Sequence, residues 1–253
     1  MTIPQEGACF VAGGSGGVGS AICARFAQSG RAVAFTYFRN AAKAEQLKAE
    51  LEQQGGRVLA LRVDLTDAAR TASALEEAAQ ALGGLESVVY AAGPALEMNF
   101  VSGIPPETWA STMATDVNSA YNLFHAALPH LRRTKGNLLA LSTCALKRPP
   151  RADVLSAAPK AAIDMLVKCI AKEEGRFGIR ANTVELGFID AGLAGHHIEH
   201  MWSPEMIAGI KSETPLKRFG GADEVAAAVA FLCSRQAAFI TGQSLATDGG
   251  YQL

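Results

Sequence analysis

The sequence lacks an excess of charge of either sign and contains no long hydrophobic run. Its 253 residues include 23 Lys and Arg against 24 Asp and Glu, which gives a formal net charge of −1. A nucleic-acid-binding surface normally carries a basic excess, so we expect no nucleic-acid partner. No stretch of about 18 uncharged apolar residues is available to cross a bilayer, so we expect no membrane partner. The first residues contain no basic region followed by an apolar stretch, and we expect no signal peptide.

Cysteine is also scarce, and its arrangement argues against two kinds of protein. The five cysteines are odd in number, scattered, and form no CxxC pair. This pattern is typical of free thiols in a reducing cytoplasm and unlike a disulfide framework or a zinc site. We therefore expect a cytoplasmic protein that holds no metal. The cysteines are Cys9, Cys23, Cys144, Cys169 and Cys233.

What the sequence does contain is the composition of a globular protein. Apolar residues make up 49% and charged residues 19%, and this length suits one large α/β domain. Strand-like apolar runs alternate with helical patterns, which predicts a parallel sheet covered by helices on both faces. The predicted strands are 8–12, 32–37, 58–63, 86–91, 137–141, 179–184 and 244–247. The predicted helices run from the glycine loop to 29 and over 41–54, 67–82, 106–114, 117–133 and 153–176. After a less regular segment at 188–215, Asp223 is the expected N-cap of a last helix that ends at Cys233.

The loop after the first predicted strand is rich in glycine. Gly13, Gly17 and Gly19 lie where a tight turn and a close approach to a pyrophosphate both favour a residue without Cβ. The following helix N-terminus adds unpaired N–H groups and a partial positive charge. The alternative is an ordinary glycine-rich turn. We expect dinucleotide phosphates to contact Gly13, Ser15, Gly16, Gly17, Val18 and Gly19.

The glycine spacing G-x-x-x-G-x-G resembles that of the short-chain dehydrogenase/reductase family, and other segments match along essentially the whole chain. They are Asp64 in 63–67, Ala91–Ala92–Gly93, Asn118, Lys160, the strand at 180–184, and the segments 215–220 and 248–250. The resemblance implies a Rossmann-like doubly wound parallel sheet in a single domain, 1–253, with a substrate lid at about 188–215. It also implies a small-molecule substrate and a homo-oligomer, either a tetramer or a dimer.

The same resemblance implies which residues hold a nicotinamide dinucleotide. Besides the glycine loop, they are Tyr37, Arg39, Asn40, Asp64, Leu65, Ala91, Ala92, Gly93, Lys160, Gly187 and Ile189. An acidic residue at the end of the second strand would bind the ribose hydroxyls of NAD, and this chain has none there. Arg39 can instead present a planar fork to a 2′-phosphate. NADP(H) is therefore favoured over NAD(H), the alternative being that Arg39 is a solvated surface residue.

The candidate catalytic residues depart from the family at its central position. In the family, a tyrosine four residues before the lysine exchanges the substrate proton, whereas here that position is Ser156. Among the four tyrosines, Tyr90 is the strongest substitute, but none is persuasive. A serine hydroxyl is a far weaker acid than that phenol, and general acid catalysis contributes about 10²–10⁴-fold. The catalytic candidates implied by the resemblance are Asn118, Ser142, Thr143, Ser156 and Lys160.

Three interpretations follow from the missing tyrosine. In the first, the protein reduces a C=C bond conjugated to a carbonyl, as in an enoyl thioester, whose oxygen needs only hydrogen bonds. In the second, it acts on a carbonyl or an imine, with Ser156, Thr143 or a loop group relaying the proton. In the third, it binds NADP without turnover, as a pseudoenzyme, sensor or partner subunit. A reductase is favoured, because Lys160, Asn118 and the glycine loop all remain.

The expected lid contains several histidines. The string His196-x-x-Glu199-His200 matches an inverted zinc-protease motif, but that chemistry needs a different fold and a third ligand. We therefore expect no metal site and interpret the segment as a solvated lid helix. The alternative is that one of these histidines faces the substrate as a proton donor, since an imidazole titrates close to neutral pH.

Overall fold

A parallel sheet forms the centre of the computed structural model, which describes residues 7–94, 96, 98–192, 195, 198 and 202–253. Its strands are β1 (Ala8–Ala12), β2 (Val33–Tyr37), β3 (Val58–Arg62), β4 (Leu85–Tyr90), β5 (Asn137–Thr143), β6 (Arg180–Leu186) and β7 (Ser244–Thr247). Their order is β3-β2-β1-β4-β5-β6-β7, and every neighbouring pair is parallel. The predicted doubly wound α/β fold is therefore confirmed.

Helices cover both faces of this sheet. In the described residues they are α1 (Gly17–Gln28), α2 (Ala41–Gln53), α3 (Ala68–Leu82), α4 (Pro106–Met113), α5 (Ser119–Thr134), α6 (Val154–Glu174), α7 (Pro204–Glu213) and α8 (Ala222–Leu232). One buried apolar layer joins the sheet to α3, α5 and α6 through side chains such as Leu75, Leu123 and Ile163. A second layer joins the other face to α1, α2 and α8 through side chains such as Phe26 and Leu47. The strands are consequently apolar on both sides, as buried parallel sheets require.

The chain winds away from the middle of the sheet in two directions. β1 pairs with β2 on one side and with β4 on the other. The loops that follow β1 and β4 therefore diverge and leave a crevice at the carboxyl ends of the strands. In open α/β sheets this is where ligands bind.

Two local details differ from the sequence prediction. Gly221, not Asp223, is the N-cap of α8, and the Glu224 carboxylate accepts a hydrogen bond from the Gly221 N–H at 2.8 Å. Asp223 lies in the first turn, where its negative charge is favourable beside the helix N-terminus. The segment 188–215, expected to be less regular, contains α7, whose N-cap Ser203 accepts from the Met206 N–H.

The long helical region before β5 is interrupted by a wider turn. Residues Ala114–Asn118, between α4 and α5, form a π-helical turn. Because an α-helix advances 100° per residue, a wider turn changes the direction of the side chains that follow it. In this turn Asp116 is buried, only 1% exposed, whereas Asn118 is exposed.

The state of the cysteines and the length of the helices relate to the expected free thiols and to the expected absence of a membrane partner. All five cysteines are free thiols, and Cys169 is exposed while the other four are buried. Among the described residues, no helix combines the length and the apolar character needed to span a membrane.

We predict that Leu75→Ala destabilises the protein by about 2–5 kcal/mol, because it leaves a cavity in the layer between α3 and the sheet. The measurement is the free energy of unfolding from chemical denaturation. Gln80→Ala, at an exposed position of the same helix, is the control and should change stability by no more than about 0.5 kcal/mol. Equal losses in both variants would contradict the assignment of this layer as the core.

Candidate active site

Two adjoining cavities lie at the carboxyl ends of the strands. The first has a volume of about 470 Å³ and lies beside the loops that follow β2 and β3. The second, of about 370 Å³, lies between the N-terminus of α1 and the side of α6. Ala92, Gly93 and Pro94, which follow β4, line both cavities. The two therefore form one groove across the crevice of the sheet.

The glycine loop forms the middle of this groove. Gly13 has a left-handed backbone (φ +78°), its N–H donates to the Thr36 hydroxyl at 3.0 Å, and a Cβ there would come within 2.8 Å of the Ala92 Cα. A Cβ on Gly17, the first residue of α1, would collide with the backbone of Gly192. The backbone is thus bare where the helix N-terminus opens into the groove, which suits a pyrophosphate.

The 470 Å³ cavity brings together the residues that the sequence predicts at the nucleoside end of the cofactor. The residues expected at this end, Tyr37, Arg39, Asn40, Asp64 and Leu65, all line it, together with Gly13 and Ser15. The Arg39 side chain is exposed beside Phe38, its guanidinium 5.9 Å from the ring centroid. The Asn40 side chain caps α2 by accepting from the Lys43 N–H at 2.9 Å.

Asp64 is the carboxylate among the described residues that line this cavity. Its Oδ1 accepts hydrogen bonds from the Thr66 N–H at 3.0 Å and from the Thr66 hydroxyl at 2.6 Å. It follows β3 rather than β2. The end of β2 therefore offers a guanidinium and no carboxylate to a ribose or to its phosphate.

The 370 Å³ cavity contains a buried charged cluster. Lys160 Nζ lies 3.0 Å from both carboxylate oxygens of Asp116, 3.4 Å from the Ala92 carbonyl oxygen and 5.1 Å from the centroid of the Tyr90 ring. The Tyr90 hydroxyl donates to Asp116 Oδ1 at 2.7 Å. Burial raises the pKa of Tyr90 well above its ordinary value, and the Asp116 charge and hydrogen bond raise it further. Tyr90 therefore keeps its proton at neutral pH.

Asn118 is the one expected catalytic residue that does not line either cavity. It is exposed at the end of the π-helical turn, and Asp116, two residues earlier, occupies the place beside Lys160. The prediction of Asn118 came from the resemblance to the family, whereas the structure has Asp116 beside Lys160.

Ser156, four residues before Lys160, lines the same cavity. Thr143 and Ser142, at the end of β5, line it as well. The Thr143 hydroxyl accepts from the Ala145 N–H at 3.2 Å. The Ser142 hydroxyl is buried and finds no hydrogen-bond partner in the described part of the chain. Three hydroxyl groups therefore face or adjoin the space beside Lys160.

Tyrosine is absent from the described lining of the 370 Å³ cavity. Tyr37 lines the nucleoside end and Tyr90 is held by Asp116. Tyr121 is 52% exposed and stacks on His125, with ring centroids 5.7 Å apart. Tyr251 is buried behind Phe188, whose ring centroid is 5.1 Å away. None of the four tyrosines takes the position that Ser156 occupies.

The far end of this cavity is mainly apolar and contains a second carboxyl group, Asp153. Burial raises the pKa of Asp153 to about 6. The apolar and aromatic residues around this end are Pro94, Leu96, Met98, Pro150, Leu155, Phe188 and Trp202. Sequence reasoning missed Asp153, although it lies three residues before Ser156 and therefore on the same side of α6.

The remaining expected cofactor residues also lie along the groove. Gly16, Gly17, Val18, Gly19, Ala91, Gly187 and Ile189 line the 370 Å³ cavity. His196, His197, Glu199 and His200 lie outside the described residues, so the two histidine hypotheses are not addressed. Within the described residues, no group of three or more His, Cys, Asp or Glu side chains could hold a metal ion.

Comparison with known proteins gives the same family over nearly the full length. A family model described as enoyl-(acyl carrier protein) reductase matches residues 12–252. A 3-oxoacyl-(acyl-carrier-protein) reductase from Staphylococcus aureus is 30% identical over 244 residues, which cover 95% of this chain and 96% of that protein.

Solved structures agree with the sequence relatives. A short-chain dehydrogenase/reductase from Serratia marcescens is 31% identical, with a TM-score of 0.90 over 98% of this chain and 99% of that one. A short-chain dehydrogenase from Burkholderia cenocepacia in complex with NADP is 30% identical, with a TM-score of 0.88 and the same coverage, 98% and 99%. The chain, with its parallel sheet and its groove at the switch between β1 and β4, therefore belongs to the short-chain dehydrogenase/reductase family of oxidoreductases.

Proposed function

We propose that the protein is an NADP(H)-dependent reductase that acts on an activated C=C bond, as in an enoyl thioester, or on a C=O bond. The observation that carries this proposal is the continuous groove. It runs from Arg39, past the bare backbone of the glycine loop, to Lys160 and a mainly apolar cavity. If a dinucleotide lies along the groove, the apolar end stays free to hold a small substrate.

The preference for NADP(H) rests on the end of β2. Arg39 lines the nucleoside cavity, and its planar guanidinium suits a phosphate monoester. No carboxylate follows β2 among the residues that line this cavity in the described chain, so nothing there repels a 2′-phosphate. The NADP bound to the Burkholderia cenocepacia relative supports the same choice.

The residues of the second cavity suit hydride transfer, for which a bound reduced nicotinamide supplies the hydride. Lys160 is held beside the groove by Asp116, and its remaining N–H bonds can reach a ribose. Thr143 and Ser142 can donate hydrogen bonds to a substrate oxygen on which negative charge develops. The apolar wall around Phe188 and Trp202 excludes water from this step.

Two features of the surroundings belong to the same proposal. The segment 188–215 acts as a substrate lid, supported by Phe188 and Trp202, whose rings lie 5.8 Å apart at the cavity. The chain functions as a homo-oligomer, either a tetramer or a dimer. Tyr121 on α5 and Met165 on α6 support this assembly, because both are large apolar side chains that are exposed.

We predict that the protein oxidises NADPH in the presence of an enoyl thioester or a ketone. The measurement is the loss of NADPH absorbance with an enoyl thioester, a ketone and a cyclic imine, together with a separate titration of NADPH binding. Binding without turnover on the whole panel would favour the non-catalytic alternative, to which the serine at position 156 points. Failure to bind either NADPH or NADH would contradict the proposal altogether.

We predict that Arg39→Gln weakens NADPH binding by about 10- to 100-fold, since a hydrogen bond to a charged group contributes about 1.5–3 kcal/mol. Binding of NADH, which has no 2′-phosphate, should change little. Arg25→Gln is the control, because Arg25 is exposed and lies near the C-terminus of α1, away from the glycine loop. An equal loss of affinity for NADPH and NADH would show that Arg39 does not bind the 2′-phosphate.

We predict that Lys160→Met lowers kcat/KM by about 10²-fold or more, because the variant removes the cation beside the reacting centre and leaves Asp116 buried without its partner. Lys172→Met, at an exposed position on the same helix, is the matched control. The measurement is kcat/KM from the steady-state kinetics of NADPH oxidation. Unchanged kinetics in the Lys160 variant would place the active site elsewhere.

A further inference from the structure

Asp153 is a cavity residue to which the proposed function gives no role. It immediately precedes α6, and its main-chain carbonyl accepts from the N–H groups of Ser156 and Ala157 at 3.0 and 2.9 Å. Asp153, Ser156 and Lys160 are spaced i, i+3 and i+7, so they share one side of the helix. All three line the 370 Å³ cavity. The carboxyl group is therefore one helical turn from the serine that stands in the tyrosine position.

The carboxyl group of Asp153 is also available to a substrate. Its side chain makes no capping hydrogen bond to α6, unlike the side chains that cap α2, α3 and α7. The apolar residues that line the same cavity include Pro150, Leu155 and Trp202. Desolvation by these surroundings is the cause of its raised pKa, about 6, and no neighbouring charge contributes.

The other ionisable groups around this cavity are poorly matched to proton donation near neutral pH. Burial raises the pKa of the Cys144 thiol to about 12, and that of Tyr251 is also raised. Lys160 is tied to Asp116. Behind Tyr251, Arg148 is paired with Glu213 at 3.1 Å, and Asp248 faces Cys144 from the loop after β7. Asp153, whose pKa is raised to about 6, is therefore better matched to proton donation near neutral pH than Cys144 or Tyr251.

We propose that Asp153 is the general acid of this site and delivers the proton that a tyrosine delivers in other members of the family. The role rests on the proposed reductase function. Reduction adds a hydride from NADPH and one proton to the double bond. For C=O, the hydride adds to carbon and the Asp153 carboxyl protonates the oxygen. For a conjugated C=C, the hydride adds to the β-carbon and Asp153 protonates the α-carbon. Water then returns a proton to the Asp153 carboxylate.

A defined pH dependence follows from this role. Asp153 acts in its protonated form, and that form is lost as the pH rises through its pKa. The value of kcat/KM for NADPH-dependent reduction should therefore be level well below pH 6 and fall about tenfold per pH unit well above it. Ser142, Thr143 and Ser156 titrate far outside this range and predict no such fall.

The test compares wild type, Asp153→Asn and Asp153→Glu on whichever panel substrate the wild type reduces, between pH 5 and 8. Asp153→Asn should lower kcat/KM at pH 6 by about 10²-fold or more and remove the fall above that pH. Asp153→Glu should keep the fall and recover part of the rate. The dissociation constant for NADPH and the thermal midpoint should stay close to wild type in both. Glu173→Gln, an exposed carboxylate near the far end of α6 and outside the cavity lining, is the matched control and should behave as wild type.

A second measurement does not depend on turnover. In the wild-type protein without substrate, the ¹³C carboxyl resonance that disappears in Asp153→Asn should titrate with a midpoint near pH 6. A midpoint near the ordinary value of about 4 would overturn the proposal. So would an Asp153→Asn variant with the wild-type rate and pH profile, and this result would leave the reductase function standing. A wild type that binds NADPH and reduces none of the panel would overturn the reductase function and this role together.

Discussion

The change of winding direction between β1 and β4 is the constraint on which the rest of the molecule depends. All seven strands are parallel, so their carboxyl ends meet at one edge of the sheet. Where the connections diverge, that edge is left open, and there the bare backbone of Gly13 can approach the loop after β4. The nucleotide groove is thus a consequence of topology. The side chains that line it then decide which nucleotide and which chemistry it takes.

Much of this arrangement could be predicted from the sequence, because it depends on local signals. The glycine spacing places Gly13, Gly17 and Gly19 in the first loop, and the distance of four residues between Ser156 and Lys160 puts both on one side of a helix in any α-helical context. The structure brings these residues to a single groove. In each case the relative positions of the residues are set within a single loop or a single helix.

Asp116 and Asp153 could not be found in the same way. The resemblance to the family selects Asn118 by residue type, whereas Asp116, in the π-helical turn at 114–118, is the residue that contacts Lys160. Asp153 precedes α6, and its significance comes from residues such as Phe188 and Trp202 that are distant in sequence. Burial raises the pKa of a carboxyl group and so keeps it protonated at higher pH, and burial is a property of the folded chain.

The two carboxyl groups of the second cavity differ in environment, and this difference determines what each can do. Asp116 accepts a hydrogen bond from Tyr90 and forms an ion pair with Lys160. Asp153 is desolvated without a compensating cation, which favours its neutral form. Because Asp116 neutralises Lys160, the lysine is poorly placed to lower the pKa of a phenol, even if one stood at position 156. The serine at position 156 and the carboxylate beside Lys160 therefore fit together, and both agree with the proposed role of Asp153 as the acid of the site.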